Sequence, residues 1–216
     1  MPISWKWEGS VTDVIAVQLA NVIESVHSTL NHCPPYCTLS GIIIFPTDTV
    51  YGIGCNCFSV EALKKLYSFK NRPLTNPINV LTNSKEKINT VALGLKKKEE
   101  EWIEKYLPGD LTLIVDKKEN VPDLLTANLN TVGVRIPNHP MALQLLEYCP
   151  YPLATSSVNL SGDSPGIQVS DFIEEFKDKV DIIVDGGLSP IGVASTIVRV
   201  ENDQIKVLRE GRLKVE

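Results

Sequence analysis

Gly41-Ile42-Ile43-Ile44-Phe45-Pro46-Thr47-Asp48-Thr49-Val50-Tyr51-Gly52-Ile53-Gly54 is the stretch from which the fold is read. Side chains in a strand point alternately to opposite faces, so an unbroken apolar run at Ile42–Phe45 requires both faces of its sheet to be covered. That is the signature of an α/β protein. After Pro46 the composition turns polar, and a glycine-containing turn is expected over 46–54. A passage from strand to loop sets hydroxyls and backbone amides at a sheet edge, where α/β proteins commonly bind ligands. Gly52 and Gly54 permit close approach to the backbone. A tight turn with hydroxyl caps accounts for the same residues equally well.

Outward from this stretch, helices and strands interleave. Upstream, Ile15, Leu19, Val22, Ile23, Val26 and Leu30 repeat at helical spacing and predict a helix over 12–32, halted by Cys33-Pro34-Pro35. Downstream, a helix is expected over 59–69 with Leu63, Leu66 and Tyr67 on one face. A short strand follows at Asn79-Val80-Leu81, then a charged, mostly solvated helix over 96–106. Strands are expected at 111–115, 131–136, 152–155 and 181–185, with a helix from Pro140 to Glu147 and a short one near 170–177. Thr196–Val200 and Gln204–Leu208 bracket Glu201-Asn202-Asp203 as a hairpin, which argues against a purely parallel sheet. The expectation is one α/β domain over 1–216, with a twisted, mixed, open sheet, flanking helices and the 12–32 helix packed on it.

With 216 residues, 43% of them hydrophobic and 22% charged, the chain can bury a sizeable core. No segment approaches a membrane span, and Met1–Ser10 lacks the basic start and apolar middle of a signal peptide, so a cytoplasmic protein is expected. A formal charge of −5 supplies no global basic field for nucleic acid. Five cysteines without a secretory signal predict reduced, structural thiols. His32, Cys33 and Cys37 have partial zinc spacing, but no second pair completes a site. No Asp/Glu/His cluster has metal-ligand spacing, and no protein-bound structural metal is expected.

Three polar segments interrupt this core-like sequence: residues 46–54, Lys70-Asn71-Arg72-Pro73, and Ala154-Thr155-Ser156-Ser157-Val158-Asn159-Leu160-Ser161-Gly162. Lys64, Lys65, Lys70 and Arg72 form a run of cations free of acidic residues inside a net-acidic chain. Arg neutralises phosphate bidentately and Lys as a point charge. No Walker sequence and no G-x-S-x-G occur, so neither a P-loop nor a serine-hydrolase elbow is present.

Taken together, PTDTVYGIG (46–54), KNRPLTNPINVL (70–81), LPGDLTLIV (107–115), TVGVRIPNHP (131–140), SSVNLSG (156–162) and DGG...GVASTIVRV (185–200) resemble the YrdC family of threonylcarbamoyl-adenylate synthases. The resemblance is collinear over about 40–210 and matches the single-domain form in length. It implies synthesis of threonylcarbamoyl-AMP and pyrophosphate from L-threonine, bicarbonate or CO2, and ATP. A downstream transferase would then carry the threonylcarbamoyl group to tRNA, giving threonylcarbamoyladenosine. Mg2+ is expected only as the ion that accompanies ATP.

By motif, Thr49, Arg135, the backbone at Thr155, and Ser195 fall where the family holds L-threonine, with Arg135 as the carboxylate's partner. Arg72, Asn76, Thr131, Ser157 and Arg209 fall where it holds ATP. Lys70 is expected as a second phosphate cation, and Asn159 as a brace for the loop or the phosphates. Lys70, Arg72, Ser157 and Asn159 form the expected catalytic set. Read without the family, Arg135 between Val134 and Ile136 reads first as a structural ion pair.

The sequence departs from the family in places. Asn76-Pro77-Ile78-Asn79-Val80-Leu81 stands where the family often reads N-P-L-I-V-H, so Leu81 replaces a histidine. Val158 replaces an alanine, and Ser164-Pro165 reverses a proline–serine order, leaving contacts around Ser164–Gly166 open. Two other readings compete. One is a double-stranded RNA-binding module without nucleotide turnover, built on the Lys64–Arg72 and Lys96–Lys98 cations. The other is a carbamoyl-adenylating domain of hydrogenase maturation, disfavoured by the missing zinc-finger and acylphosphatase portions.

Overall fold

The protein is described by a computed structural model covering residues 40–215. The helix expected over 12–32, and Cys33 and Cys37 with the zinc reading attached to them, lie outside the described residues.

The apolar run forms β1 (Ile42–Phe45), and every one of its residues is buried. Its alternation divides the core. Ile42 and Ile44 join the larger apolar cluster on one face, while Ile43 and Phe45 join a smaller one on the other. The turn after Pro46 is shorter than expected, because Gly52–Asn56 is already strand β2, antiparallel to β1. Two glycines in five residues obscured this strand, since glycine has low strand propensity. The structure requires them: a Cβ on Gly52 would lie 2.8 Å from Thr155 Cγ2, and one on Gly54 3.0 Å from Thr155 Oγ1.

The remaining strands are β3 (Asn79–Leu81), β4 (Leu111–Asp116), β5 (Thr131–Arg135), β6 (Leu153–Ser157), β7 (Ile182–Ile183), β8 (Thr196–Glu201) and β9 (Gln204–Arg209). Together the nine form one mixed sheet in the order β7-β1-β2-β6-β3-β5-β4-β8-β9. Three neighbouring pairs are parallel: β1–β7, β3–β5 and β4–β8. The expected hairpin is β8–β9. Its two-residue turn, Asn202 and Asp203, takes positive φ at both positions (52° and 59°), the geometry that matches strand twist.

Helix α1 (Val60–Phe69) buries Ala62, Leu63, Leu66 and Tyr67 on one stripe, and the Ser59 hydroxyl accepts from the Ala62 amide at its start. Two one-turn helices, α2 (Lys85–Ile88) and α4 (Asp123–Thr126), were not foreseen. Helix α3 (Lys97–Tyr106) is less solvated than its charge suggests. Its Glu99 is buried and accepts the Lys96 backbone N–H at 2.8 Å, closing the helix start. Helix α5 (Pro140–Tyr148) begins at its proline and covers the smaller cluster through Ala142 and Leu146. The segment near 170–177 splits into a 3-10 turn, Val169–Asp171, and α6 (Ile173–Phe176). No helix among the described residues is long and apolar enough to cross a membrane. Cys55 and Cys57 are buried, and burial pushes the Cys55 thiol up to about 12 and the Cys57 thiol upward as well, as expected of inert structural thiols.

Beyond β9 the chain folds back over β8. The Thr196 hydroxyl donates to the Leu213 carbonyl at 2.8 Å and accepts the Gly211 amide at 3.1 Å, while Arg212 Nε donates to Asp110 at 3.0 Å. A Cβ on Gly211 would meet only backbone: Ala194 O and Thr196 N at 2.5 Å each. Backbone cannot swing aside as a flexible side chain can. Gly211→Ala is therefore expected to cost roughly 1–3 kcal/mol of stability in urea denaturation. An unchanged midpoint would show that this strap is not seated as described.

Candidate functional site

Alternate residues of β5, namely Thr131, Gly133 and Arg135, share one face of the sheet, and Thr155, Asn79 and Gly133 lie level across β6, β3 and β5. Over this face opens a cleft of about 640 Å3, mouth included. It is walled by the 47–52 segment, Arg72, the 77–81 segment, Thr112, Arg135, Thr155–Ser157, Ala194, Ser195 and Arg209.

Arg135 is 5% exposed, so its charge must be matched within the protein. Nε donates to the Gly109 carbonyl at 2.9 Å, Nη1 to Thr49 Oγ1 at 2.8 Å, and Nη2 to the Asp48 carboxylate. Thr49 is set in turn by Thr47, whose hydroxyl lies 3.0 Å from that of Thr49 and donates to the Val50 carbonyl at 2.6 Å. Burial lowers the Arg135 pKa and the Asp48 charge opposes the shift. The structural ion pair and the cleft-facing arginine thus coexist. Three of its five N–H bonds hold the guanidinium in place, and two have no acceptor among the described residues.

Arg72 rests on the chain just after it, with Nε donating to the Asn76 carbonyl at 3.1 Å and Nη2 to the Pro77 carbonyl at 2.8 Å. Arg209 wraps Ser195, donating from Nε and Nη2 to its carbonyl (3.1 and 2.7 Å) and from Nη2 to its hydroxyl (3.1 Å). That hydroxyl also lies 2.7 Å from Thr112 Oγ1. The Arg209 pKa is lowered by burial and then by the like charges of Arg135 and Arg72, so the three guanidiniums feel one another across the cleft. With Asp48 as the only carboxylate bonded to any of them among the described residues, the site is cationic and suited to anions.

Of the expected residues, Thr49, Arg72, Arg135, Thr155, Ser157, Ser195 and Arg209 line the cleft. The others stand back from it. Asn76 serves through its carbonyl, which accepts from Arg72 and from the Tyr67 hydroxyl at 2.9 Å. Thr131 is half-buried at the start of β5, two residues before Gly133.

Lys70 differs most from expectation. It is 1% exposed, and its ammonium is spent on the 157–159 loop: it donates to the Ser157 carbonyl, to the Asn159 carbonyl at 2.7 Å and to Asn159 Oδ1 at 3.0 Å. Three donors meet three oxygens, so Lys70 buckles this loop rather than facing the cleft as a phosphate cation. Asn159 Oδ1 also accepts from the Ser157 hydroxyl at 2.7 Å. Gly166 resolves the open contacts after the loop, accepting the Tyr51 amide at 2.9 Å and donating to the Val158 carbonyl at 3.0 Å. The basic run at 64–72 is no continuous solvated patch, because Lys70 is buried, Lys65 pairs with Glu61 and Arg72 lies in the cleft. Lys96 is likewise paired, with Glu99 and Asp116.

Sequence reasoning missed Asp48, although it adjoins Thr49 in the quoted motif, and it missed the cleft-lining Thr112 and Asn79. Leu81 lines the cleft while packing into the smaller cluster beneath α5.

These features define a mixed α/β protein with a cationic cleft over one face of its sheet. The Sua5/YciO/YrdC family model, described as "Telomere recombination", matches residues 38–211, and the chain belongs to that family. It is 37% identical over 175 residues to a threonylcarbamoyl-AMP synthase of Pyrococcus abyssi, covering 81% of this chain and 52% of that protein. To a Bacillus subtilis protein of the same name it is 35% identical over 176 residues, covering 81% and 51%. The chain thus spans about half the length of these two relatives. Among solved structures, P. abyssi Sua5 complexed with L-threonine superposes with a TM-score of 0.77 at 36% identity, over 79% of this chain and 50% of that one. E. coli YciO, at 23% identity, shares the fold with a TM-score of 0.76 over 92% and 93% of the two chains.

Burial and the neighbouring Arg72 lower the Lys70 pKa from 10.5 to about 7. A lysine whose pKa is lower when folded binds its proton more tightly when unfolded, so stability rises with pH between the two values. The stability difference between wild type and Lys70→Met should therefore shift in favour of wild type as pH rises from about 7 towards 10. Urea titrations across that range measure it, and a flat difference would contradict the burial of the ammonium.

Proposed function

We propose that this protein is an L-threonylcarbamoyladenylate synthase. The ammonium of L-threonine first gives one proton to solvent, and the free amine then combines with bicarbonate, releasing water, or with CO2, releasing a second proton, to give a carbamate. A carbamate oxygen attacks the α-phosphorus of ATP, and pyrophosphate leaves with the electron pair of the broken P–O bond. The product, threonylcarbamoyl-AMP, is consumed by a transferase that modifies tRNA. The named relatives and the L-threonine complex of the P. abyssi protein support the substrate assignment.

The observation that carries the reading is three guanidiniums, each with N–H bonds to spare, around one cleft. The reaction brings a carbamate anion against a polyphosphate, so holding the two together against repulsion is the main demand on a catalyst. Arg135, fixed by Asp48 and Thr49, offers its free N–H pair to the amino-acid carboxylate. Arg72 and Arg209 offer theirs to the nucleotide. Mg2+ enters with ATP as part of the substrate. No side chain in the cleft is needed as a dedicated base: the protons shed by the threonine ammonium pass to solvent or leave in water, and the oxygen that attacks is already anionic. An enzyme that serves tRNA modification in this way would act in the cytoplasm.

Purified protein given ATP, L-threonine and bicarbonate should release pyrophosphate and form threonylcarbamoyl-AMP, detected by mass. Omitting threonine or bicarbonate should abolish both. Arg72→Ala and Arg135→Ala should each lower the rate by roughly tenfold to hundredfold, the worth of one charge-assisted hydrogen-bonding group. Equal pyrophosphate release with and without threonine would overturn the reading. Salt-sensitive binding of duplex RNA without turnover would favour an RNA-binding module instead.

A further inference from the structure

Among the described residues that line the cleft, one carries a side-chain amide, Asn79. Asn79 begins β3, and its backbone sits level with Thr155 of β6. From Val80↔Val134 and Leu81↔Arg135 in the parallel pairing of β3 with β5, Asn79 falls level with Gly133. Side chains two apart on a strand share a face, so Asn79 points to the same side as Leu81, and Gly133 to the same side as Thr131 and Arg135.

The carboxamide lies on bare backbone. A Cβ on Gly133 would come 2.3 Å from Asn79 Oδ1 and 3.0 Å from its Cγ, so the side chain occupies the space that any other residue at 133 would fill. Asn79 lines the cleft, and no hydrogen bond engages its side chain among the described residues. A half-buried amide without a partner among the described residues, lining a cationic cleft, can bind what enters.

Its position says what that is. Alternate residues on a strand are roughly 6.6 Å apart, so Gly133 lies that far from Arg135 on one side and from Thr131 on the other. On the proposed reading Arg135, level with Leu81, holds the amino-acid carboxylate, and Arg72, resting on the Pro77 carbonyl, takes the nucleotide, so Asn79 falls between the two along the chain. The group between them is the one that joins the two substrates.

We infer that the Asn79 carboxamide, seated on Gly133, binds the one-carbon unit, donating from its N–H to an oxygen of bicarbonate and then of the carbamate derived from it. The donor steadies the carbamate while leaving its other oxygen free to attack. An apolar side chain here would leave the carbamate with no hydrogen bond from a β3 side chain, because the other β3 residue that lines the cleft, Leu81, is apolar. This inference rests on the proposed synthase activity and adds to it a residue that selects and aligns the third substrate.

The test compares wild type with Asn79→Ile and Asn79→Ala, measuring threonylcarbamoyl-AMP formation while bicarbonate is varied at saturating ATP and L-threonine. Binding of L-threonine and of a non-hydrolysable ATP analogue is titrated separately, and thermal unfolding confirms that each variant is folded. The second variant keeps the test open should the larger side chain fit poorly against Gly133. For each folded variant kcat/KM for bicarbonate should fall about tenfold or more, the effect of losing a hydrogen bond to a charged group. The two binding constants should stay within about twofold of wild type, which a general disturbance of the cleft would not allow. If wild type makes product and both variants match it at low bicarbonate, or if they lose L-threonine or nucleotide binding to the same degree, the assignment of Asn79 fails while the synthase reading stands. If wild type itself makes no product, the synthase reading fails and takes this assignment with it.

Discussion

A buried guanidinium that cannot shed its proton must be neutralised where it lies, and that requirement at Arg135 organises this molecule. Meeting it takes the Asp48 carboxylate, the Thr49 hydroxyl and the Gly109 carbonyl, from segments that follow β1 and precede β4. Those segments converge only if β1–β2 and β4–β5 stand in their observed order in the sheet. Removing Asp48 would leave an uncompensated charge in a nearly closed environment, a far larger penalty than the loss of an exposed ion pair. The same bonds set the direction of the two N–H groups that remain. Stability and binding geometry therefore depend on one set of contacts.

Around that anchor the cleft is made more by backbone than by side chains. Gly52 in its wall, and Gly54 and Gly133 beside it, leave the room into which Thr155, Phe45 and Asn79 press. Arg72 and Arg209 reach the cleft only after resting on carbonyls of their own neighbourhood, at Asn76 and Pro77 and at Ser195. Lys70 acts one layer further out, holding the loop that presents Ser157. Each cation near the site thus first satisfies local main-chain oxygens, which costs little flexibility and keeps the donors aimed.

Most of the architecture was legible because burial writes itself into sequence. Ile42–Phe45 announced a doubly covered strand, the 3.6-residue stripe of Leu63, Leu66 and Tyr67 announced α1, and Asn202-Asp203 announced the last turn. What stayed hidden has physical causes. β2 carries two glycines because neighbouring side chains need the room, and a strand chosen for emptiness carries no propensity signal. One-turn helices such as α2 and α4 are too short to show a period. The seven cleft-lining residues were found through motif resemblance, since hydroxyls and arginines on loops have no periodicity to betray them. Lys70 was assigned to phosphate because charge is visible in sequence and burial of a charge is not. Asp48 went unnoticed because its significance lies wholly in a partner 87 positions away.

The segment after β9, stitched to Thr196 and Asp110, carries a consequence for synthesis on the ribosome. Ser195 and Arg209 complete the cleft, yet both belong to the part of the described chain translated latest. A nascent polypeptide holding Asp48 and Arg135 already in place would still have an open wall. The cleft therefore gains its last wall only once β8, β9 and the strap have joined the sheet.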